Sequence, residues 1–414
     1  MYRLLAFGAA LAAFSAPAIA HADAPSGDLR GFIEFKAGAS DGEESWLDGG
    51  FGKTRVGGSG NGWAGDLTGD ASVIWTPHIT WSLRGYVHMR ADPDQDHLID
   101  AVEAYLTYKP MPVWGTHFSA RAGMFYPPVS LEHDGLGWST TETITPSAIN
   151  TWIGEEVKVI GLEGTAKHEF AGQEFSATIG AFGFNDTSGT ILAYRGWALH
   201  DHLNTAFDGL ELPYQAPAWN IIKAAQADDT QPVRELDGRV GFYGRVAWQP
   251  TSRISLDVTT YDNAGDRISE SGGQFSWETR FTNIGLRLDV SEHTRLLAQA
   301  MQGQTILGMR TPMGYWVDMD FGSAYVLVAH DFGDQTVAAR IDYFETDDKS
   351  FTSVDNNNEE GWAFTADYRV PLNDHLNLAV EGIHIESDRP QRASVGLNPE
   401  QTQNTLQSKL HYSF

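Results

Sequence analysis

Eight cations in this chain share one local pattern. Arg84, Arg121, Arg239, Arg245, Arg287, Arg340, Arg369 and Lys409 each stand between small or apolar neighbours. Glu34, Glu103, Asp257, Asp289, Asp342, Asp367 and Glu381 occupy the same kind of position. In an extended chain alternate side chains point to opposite faces, so such segments carry ionisable groups on one surface and apolar groups on the other. The chemistry on offer is electrostatic. Opposite charges on neighbouring strands hold a wall together; if that wall encloses water, the same charges select what passes. The first reading neutralises the arginines with carboxylates, and the second leaves them as a track for anions.

A second group lies in the segment 126–156, YPPVSLEHDGLGWSTTETITPSAINTWIGEE, which holds several carboxylates and no lysine or arginine. Folded inside a water-filled wall, it would narrow the passage with Glu132, Asp134, Trp138, Glu142, Asn150, Trp152, Glu155 and Glu156. Trp138 and Trp152 would then offer stacking faces to a sugar. Outside the wall, the segment is a cover loop.

Other constellations are weaker. Asp92, Asp94, Asp96, Asp100 and Glu103 have calcium-loop spacing, but His97 replaces the turn glycine, Pro93 interrupts, and flanking helical pattern is missing. A solvated acidic loop is the simpler reading. His200, Asp201 and His202 are too few to specify zinc, so no metal or other cofactor is expected. Gly57, Gly58, Gly60 and Gly62 surround Ser59 without the strand–helix context of a phosphate cradle. With neither G-x-S-x-G nor a P-loop, the chain does not read as an enzyme.

The elements that position these groups are strands. Period-2 alternation runs from Asp28 to the C-terminus with almost no helical period, and it resolves into sixteen runs. Their connections alternate strictly. Seven are short, at about 76–78, 110–115, 171–173, 250–252, 291–293, 332–335 and 371–374. Eight are long, at about 38–63, 91–97, 126–155, 186–235, 264–274, 305–314, 347–360 and 388–400. A soluble sandwich has no reason to sort loop lengths by parity; a transmembrane barrel with short turns on one side and long loops on the other does. The expected fold is therefore all-β: a sixteen-stranded antiparallel transmembrane barrel enclosing an aqueous channel. Rows such as Val240, Phe242, Val246 and Trp248, or Ile284, Leu286, Leu288 and Val290, should face lipid. Aromatic girdles are expected from Trp75, Trp81, Trp114, Trp248, Phe332 and Phe414 at one rim, and from Tyr126, Trp277, Tyr315, Trp316 and Trp362 at the other.

Residues 1–22 (MYRLLAFGAALAAFSAPAIAHA) have the charged start, short apolar run and small-residue end of a secretory signal, leaving 23–414 as the barrel. No later stretch is apolar enough for a membrane helix, and mean hydropathy is −0.30. Cysteine is absent, so no disulfide staples the chain. A net charge of −26 argues against nucleic acid as a partner, and it suits loops that lie among bridging divalent cations.

The stretch from Arg121, RAGMFYPPVSLEHD, resembles the strand-to-loop segment of the phosphate-selective porin O and P family, in which an arginine- and glycine-containing strand leads through Phe and Pro into a Leu-Glu pair. The last strand, QNTLQSKLHYSF, ends on Phe414 with Tyr412 and Leu410 on the same face. It looks like the closing strand that barrel-assembly machinery reads in bacterial outer membranes. The resemblance implies passive diffusion of small hydrophilic solutes or ions, a third loop folded inward as the constriction, and a homotrimer bathed in outer-membrane lipid and lipopolysaccharide. A solute-specific channel for an organic anion or saccharide, or a non-conducting binding barrel, are the alternatives. The cation-free loop departs from what a phosphate selector would carry.

Overall fold

The computed structural model describes residues 27–59, 62–213, 225–351 and 356–414. The expected leader, and Gly60 of the glycine cluster, lie outside the described residues. Sixteen strands close into one antiparallel barrel in sequence order. The first eight are β1 (Gly27–Ser40), β2 (Ala64–Pro77), β3 (Leu83–Ala91), β4 (Ile99–Tyr108), β5 (Thr116–Phe125), β6 (Val159–Phe170), β7 (Gln173–Gly183) and β8 (Gly241–Thr251). The rest are β9 (Ile254–Asp262), β10 (Glu278–Asp289), β11 (Thr294–Leu307), β12 (Val317–Phe332), β13 (Gln335–Asp348), β14 (Glu359–Pro371), β15 (Leu376–Asp388) and β16 (Glu400–Ser413). β1 and β16 pair from Phe32↔Ser413 to Ser40↔Thr405, which closes the sheet. Phe414 finishes the seam by exchanging backbone hydrogen bonds of 3.0 and 2.9 Å with Gly31. Closure leaves no free edge, the condition for a sheet in lipid.

Two strand starts differ from the sequence pattern. β3 begins at Leu83 rather than Ile79, because Thr80 Oγ1 accepts from the Leu83 N–H at 3.0 Å and turns the chain first. β8 begins at Gly241 rather than Leu236. Asp237 Oδ1 accepts from the Arg239 N–H at 2.8 Å, and Gly238 follows at φ 73°, so this segment is a turn. Arg239 is therefore not a wall residue; it sits in the loop ahead of its strand, donating to the Ala264 carbonyl at 3.3 Å.

The outward rows are apolar and uncovered. Ile179, Phe242, Val246, Ile284, Ile341, Phe364 and Leu406 are all exposed, a surface suited to lipid. Trp81, Trp114, Phe332 and Phe414 are exposed at the short-turn rim, and Trp362 at the other. Tyr126 and Trp277 leave the expected girdle, since both are buried inside. The Tyr126 hydroxyl donates to the carbonyls of Gly154 and Asn204.

The largest correction concerns the lumen. Its outer half, at the long-loop end, is a packed interior rather than an aqueous channel. Lumen-facing residues of every strand are buried there, for example Ser40, Asp70, Arg90, Val102, Phe125, Val159, Phe182 and Tyr243 in the first half of the sheet. Tyr261, Phe281, Leu307, Met319, Phe344, Glu359, Ile385 and Thr405 continue the set. The described residues of three loops fill the space: 41–59 and 62–63, 126–158, and 184–213 with 225–240. The second carries helix α1 (Ala148–Glu156) and the third carries α2 (Thr190–Tyr194), both buried along their whole length.

Candidate functional site

Arg340 on β13 is fully buried, and the third loop is built around it. Its Nε donates to Asp342 at 2.7 Å and its Nη1 to Glu132 at 3.1 Å and to the Thr145 carbonyl at 2.7 Å. Nη2 donates to the Pro146 carbonyl at 3.0 Å. Wall carboxylates hold the same segment from the other side. Glu381 accepts from the N–H groups of Ile144 at 2.8 Å and Thr145 at 3.2 Å, and Asp367 accepts from Ile144 at 3.2 Å. Ser147 then caps α1 by accepting from the Asn150 N–H at 3.3 Å, while Asp342 takes the Ala148 N–H at 3.2 Å. A charged hydrogen bond removed from water demands its full set of partners, and the loop supplies that set.

The loop crosses the lumen before it reaches this anchor. Leu131 bonds Gln299 on β11, and Arg287 on β10 takes the Leu131 carbonyl at 3.0 Å and the Asp134 carboxylate. The chain turns at Gly137, where a Cβ would lie 2.9 Å from His88 and 3.2 Å from Phe32 on the opposite wall. Gly137 and Trp138 both adopt left-handed conformations, at φ 67° and 55°. Glu142 then returns to β11, held by both ends of the Arg295 guanidinium at 2.6 and 2.9 Å.

The eight loop residues expected at a constriction divide by this geometry. Glu132 is buried, taking Ser147, Asn150 and Arg340. Asn150 also donates to Gln299 at 2.8 Å. Glu155 pairs with Arg195 through two 2.7 Å contacts and lies 2.7 Å from His200. Glu156 accepts from the N–H groups of Gly189 and Ile191 and from Trp152. Burial pushes Glu156 up to about 7 against those three donors, which favour the ionised form. Trp152 packs edge-on to Phe281, Phe321 and Trp197. Trp138 is sandwiched between Tyr126 at 3.9 Å and His133 at 3.6 Å. Both tryptophans therefore have their faces covered, which removes the expected sugar platform. Asp134 stays half exposed.

The wall cations are mostly neutralised. Arg121 bonds Glu163 at 2.9 Å and the Tyr126 carbonyl at 3.0 Å. Arg245 pairs with Asp257 at 3.3 Å, Arg369 with Asp367 at 3.2 Å, and Lys409 with Glu34 at 3.1 Å. Arg84 is exposed and has no ion pair among the described residues. The 92–103 segment is only partly solvated: Asp96 and His97 are exposed, while Asp92, Asp100 and Glu103 are buried. Asp92 and Asp94 are spent on Arg55 and Arg90, so the calcium spacing is filled by guanidinium groups. His202 lies 3.0 Å from Asp208, and His200 stacks on Trp46, so neither is arranged for zinc.

What stays open is a cavity of about 370 Å³ at the short-turn end. The loop segment Gly135–Thr141 forms one side, and Arg369, Asn377, Lys409, His411 and Glu34 form the other. Leu136, Pro371, Leu378 and Ala379 line it together with the hydroxyls of Ser139, Thr140, Thr141 and Thr336 and the ionic groups.

Several residues that build this interior lie in loops and escape strand-parity reasoning: Lys53, Arg55, Arg195 and Asp201. One signal does point to the loop that carries Arg195 and Asp201. The longest loop carries TILAYRGWALH at 190–200, a run too apolar to be left in water.

No protein-family model matches the chain, and no curated protein matches its sequence. Its backbone is similar to the outer-membrane channel DcaP of Acinetobacter baumannii, with a TM-score of 0.54 at 11% identity over 95% of this chain and 99% of that one. An anion-selective porin from Comamonas acidovorans aligns with a TM-score of 0.51 at 11% identity, covering 94% and 99%. OmpF of Salmonella typhi, in complex with daunomycin, aligns at 0.50 and 13% identity, covering 95% and 99%. The fold is the porin fold. At these identities the shared property is architecture, not solute.

Proposed function

We propose that the protein is an outer-membrane porin for passive diffusion of small hydrophilic solutes or ions, with loop 126–156 as its constriction. The observation that carries this reading is the loop pinned across the lumen by Arg340 and Glu381, beside an open cavity into which Arg369, Lys409 and Glu34 bring charge. A protein that used the barrel only as a scaffold would have no need to keep an ionised, hydroxyl-lined hollow inside it. The same reading has the short turns in the periplasm, Arg369 and Lys409 lining the passage, and a homotrimer inserted by the assembly machinery beside lipopolysaccharide. The paired state of the arginines, and the absence of cations in the loop, favour a general or weakly selective pore over a phosphate selector. The packed outer half favours a second reading, a non-conducting ligand-binding barrel.

Single-channel recording of the refolded protein in planar bilayers separates the two. Steady conductance supports the porin; silence from correctly folded barrels sinks it. Arg340→Ala should widen the pore, because Glu132 and Asp342 lose their shared partner and the loop loses its anchor. Leaving such groups buried and unpaired costs about 3–5 kcal/mol. A variant with unchanged conductance would remove the loop from the role of constriction.

A further inference from the structure

The loops that fill the outer half meet the wall through two unlike surfaces. Toward β10–β13 the contact of residues 190–199 is apolar: Ile191, Leu192 and Trp197 join Phe281, Met301, Phe321 and Phe344 in one buried cluster, whereas β14 meets the loops through Glu359, which pairs with Lys53 and accepts from the Trp197 N–H at 2.8 Å. Toward β1–β4 it is ionic. Lys36 Nζ lies 2.6 Å from Asp201, 2.9 Å from Asp70 and 3.2 Å from Glu34. Arg55 reaches Asp94 at 2.5 Å, Asp92 at 3.3 Å and Asp201 at 3.4 Å. Arg90 bridges Asp70 at 3.0 Å and Asp92 at 3.2 Å. The chain of charges begins at Glu34 and Lys409, which line the open cavity, and ends in the external loop at Asp94. Beside it, loop residue Thr54 meets β16 through polar groups: its Oγ1 lies 2.9 Å from Thr405 Oγ1 and accepts from Gln403, which also bonds Ser40 on β1.

We propose that permeating ions and small polar solutes cross the outer half along this ionic seam, with Lys36, Arg55, Asp70 and Asp201 setting its charge preference. The inference rests on the porin reading and assigns its route. Parting an apolar contact exposes surface that water solvates poorly. Parting an ion pair frees groups that water, or the permeating ion itself, solvates well. The seam is therefore the face that opens, while the apolar face keeps the loops docked. Asp201 stays ionised in the closed arrangement: burial alone would raise it, but Lys36 and Arg55 hold it far below the ordinary carboxylate range.

The chain has no cysteine, so single disulfides can lock each face in turn. Thr54→Cys with Thr405→Cys staples the seam side. Ser188→Cys with Thr279→Cys staples the apolar side, where Thr279 Oγ1 donates to the Ser188 carbonyl. Bond formation is read by loss of free thiol, and the reduced form of each variant is its own folding control. Oxidation of the first pair should abolish single-channel current, with recovery on adding dithiothreitol; oxidation of the second should leave the current unchanged. Arg55→Gln should move the reversal potential in a KCl gradient toward cation preference, and Asp201→Asn toward anion preference. A conducting wild type whose seam disulfide does not alter the current overturns the route, as does a block produced by the apolar disulfide instead. Reversal potentials indifferent to both charge substitutions overturn the selectivity assignment. A wild type that never conducts sinks the porin reading itself, an outcome that these variants do not produce.

Discussion

The two sides of the outer lumen solve the same problem with opposite chemistry. Against β10–β13, the loops bury tryptophan, phenylalanine and leucine; against β1–β4, they bury Lys36, Arg55, Arg90, Asp70, Asp92 and Asp94. Both sides exclude bulk water, yet they hold the loops differently. Apolar burial contributes roughly 25 cal/mol per Å² of surface removed from water. A buried ion pair roughly breaks even against an apolar replacement, and becomes costly only when one partner is missing. Closure and adhesion are therefore separate properties here: the apolar side supplies most of the adhesion, and the ionic side supplies registration.

Perturbations should rank accordingly. The largest effect is expected for Arg55→Ala, which removes the charged partner of Asp94 and weakens the hold on Asp92 and Asp201, at about 3–5 kcal/mol of local docking. Hydrogen exchange of the backbone amides in 53–56 and 199–202 reports that loss as faster opening. Adding Asp94→Asn should recover part of it; no recovery would mean that the seam adheres through contacts other than charge. Trp197→Ala comes next. Its ring is fully buried, and its Nε1 donates to the Glu345 carbonyl at 2.9 Å. Truncation should cost about 3–5 kcal/mol by the cavity rule, partly relieved if the apolar cluster collapses around the gap. Exchange should accelerate in 190–199 and leave the seam amides alone; spreading to 53–56 would show the two sides to be one cooperative unit.

A smaller effect is expected from pH at the helix that links the two loops. Glu156 is raised from 4.5 to about 7. An acid raised in the docked state binds its proton more tightly there than when undocked. Docking is therefore strongest below about 4.5 and weakens as pH rises to about 7. Exchange at Gly189 and Ile191 should quicken across that window, and Glu156→Gln should flatten the profile; a flat profile in the unmodified protein would contradict the shift. The smallest effect belongs to the exterior. Lys349 pairs with Asp320 and Asp347 at the outer rim, about half exposed. Lys349→Ala should change thermal stability by only about 0–1 kcal/mol. A large loss would mean that rim charges carry as much as seam charges, and the contrast would fail.

The barrel was legible because strand parity is a local property. Leu406, Leu410 and Tyr412 alternate with Thr405, Lys409 and His411, and that alternation alone separates lipid from lumen. Connection lengths supplied the up-and-down order and the strand number. Parity also placed Arg340, Asp342 and Glu381 on the inner face. It failed at Arg239, where an Asp–Gly turn delayed the strand, and at Tyr126 and Trp277, where an aromatic near a strand end was buried rather than anchored in an interface. The third loop's inward course came from resemblance. The packing of loops 41–63 and 184–240 was signalled only by the apolar run 190–200.

The sequence by itself determined which side chains face lipid, because a pleated strand decides that within two residues. Whether the inward-facing charges meet water, one another or a loop was decided only by the tertiary structure. Arg340 finds Glu132 across 208 positions of sequence, and Lys36 finds Asp201 on a loop that must first fold back through the mouth. No local pattern encodes such a meeting, since its cost and its reward both depend on how much water the closed barrel leaves inside.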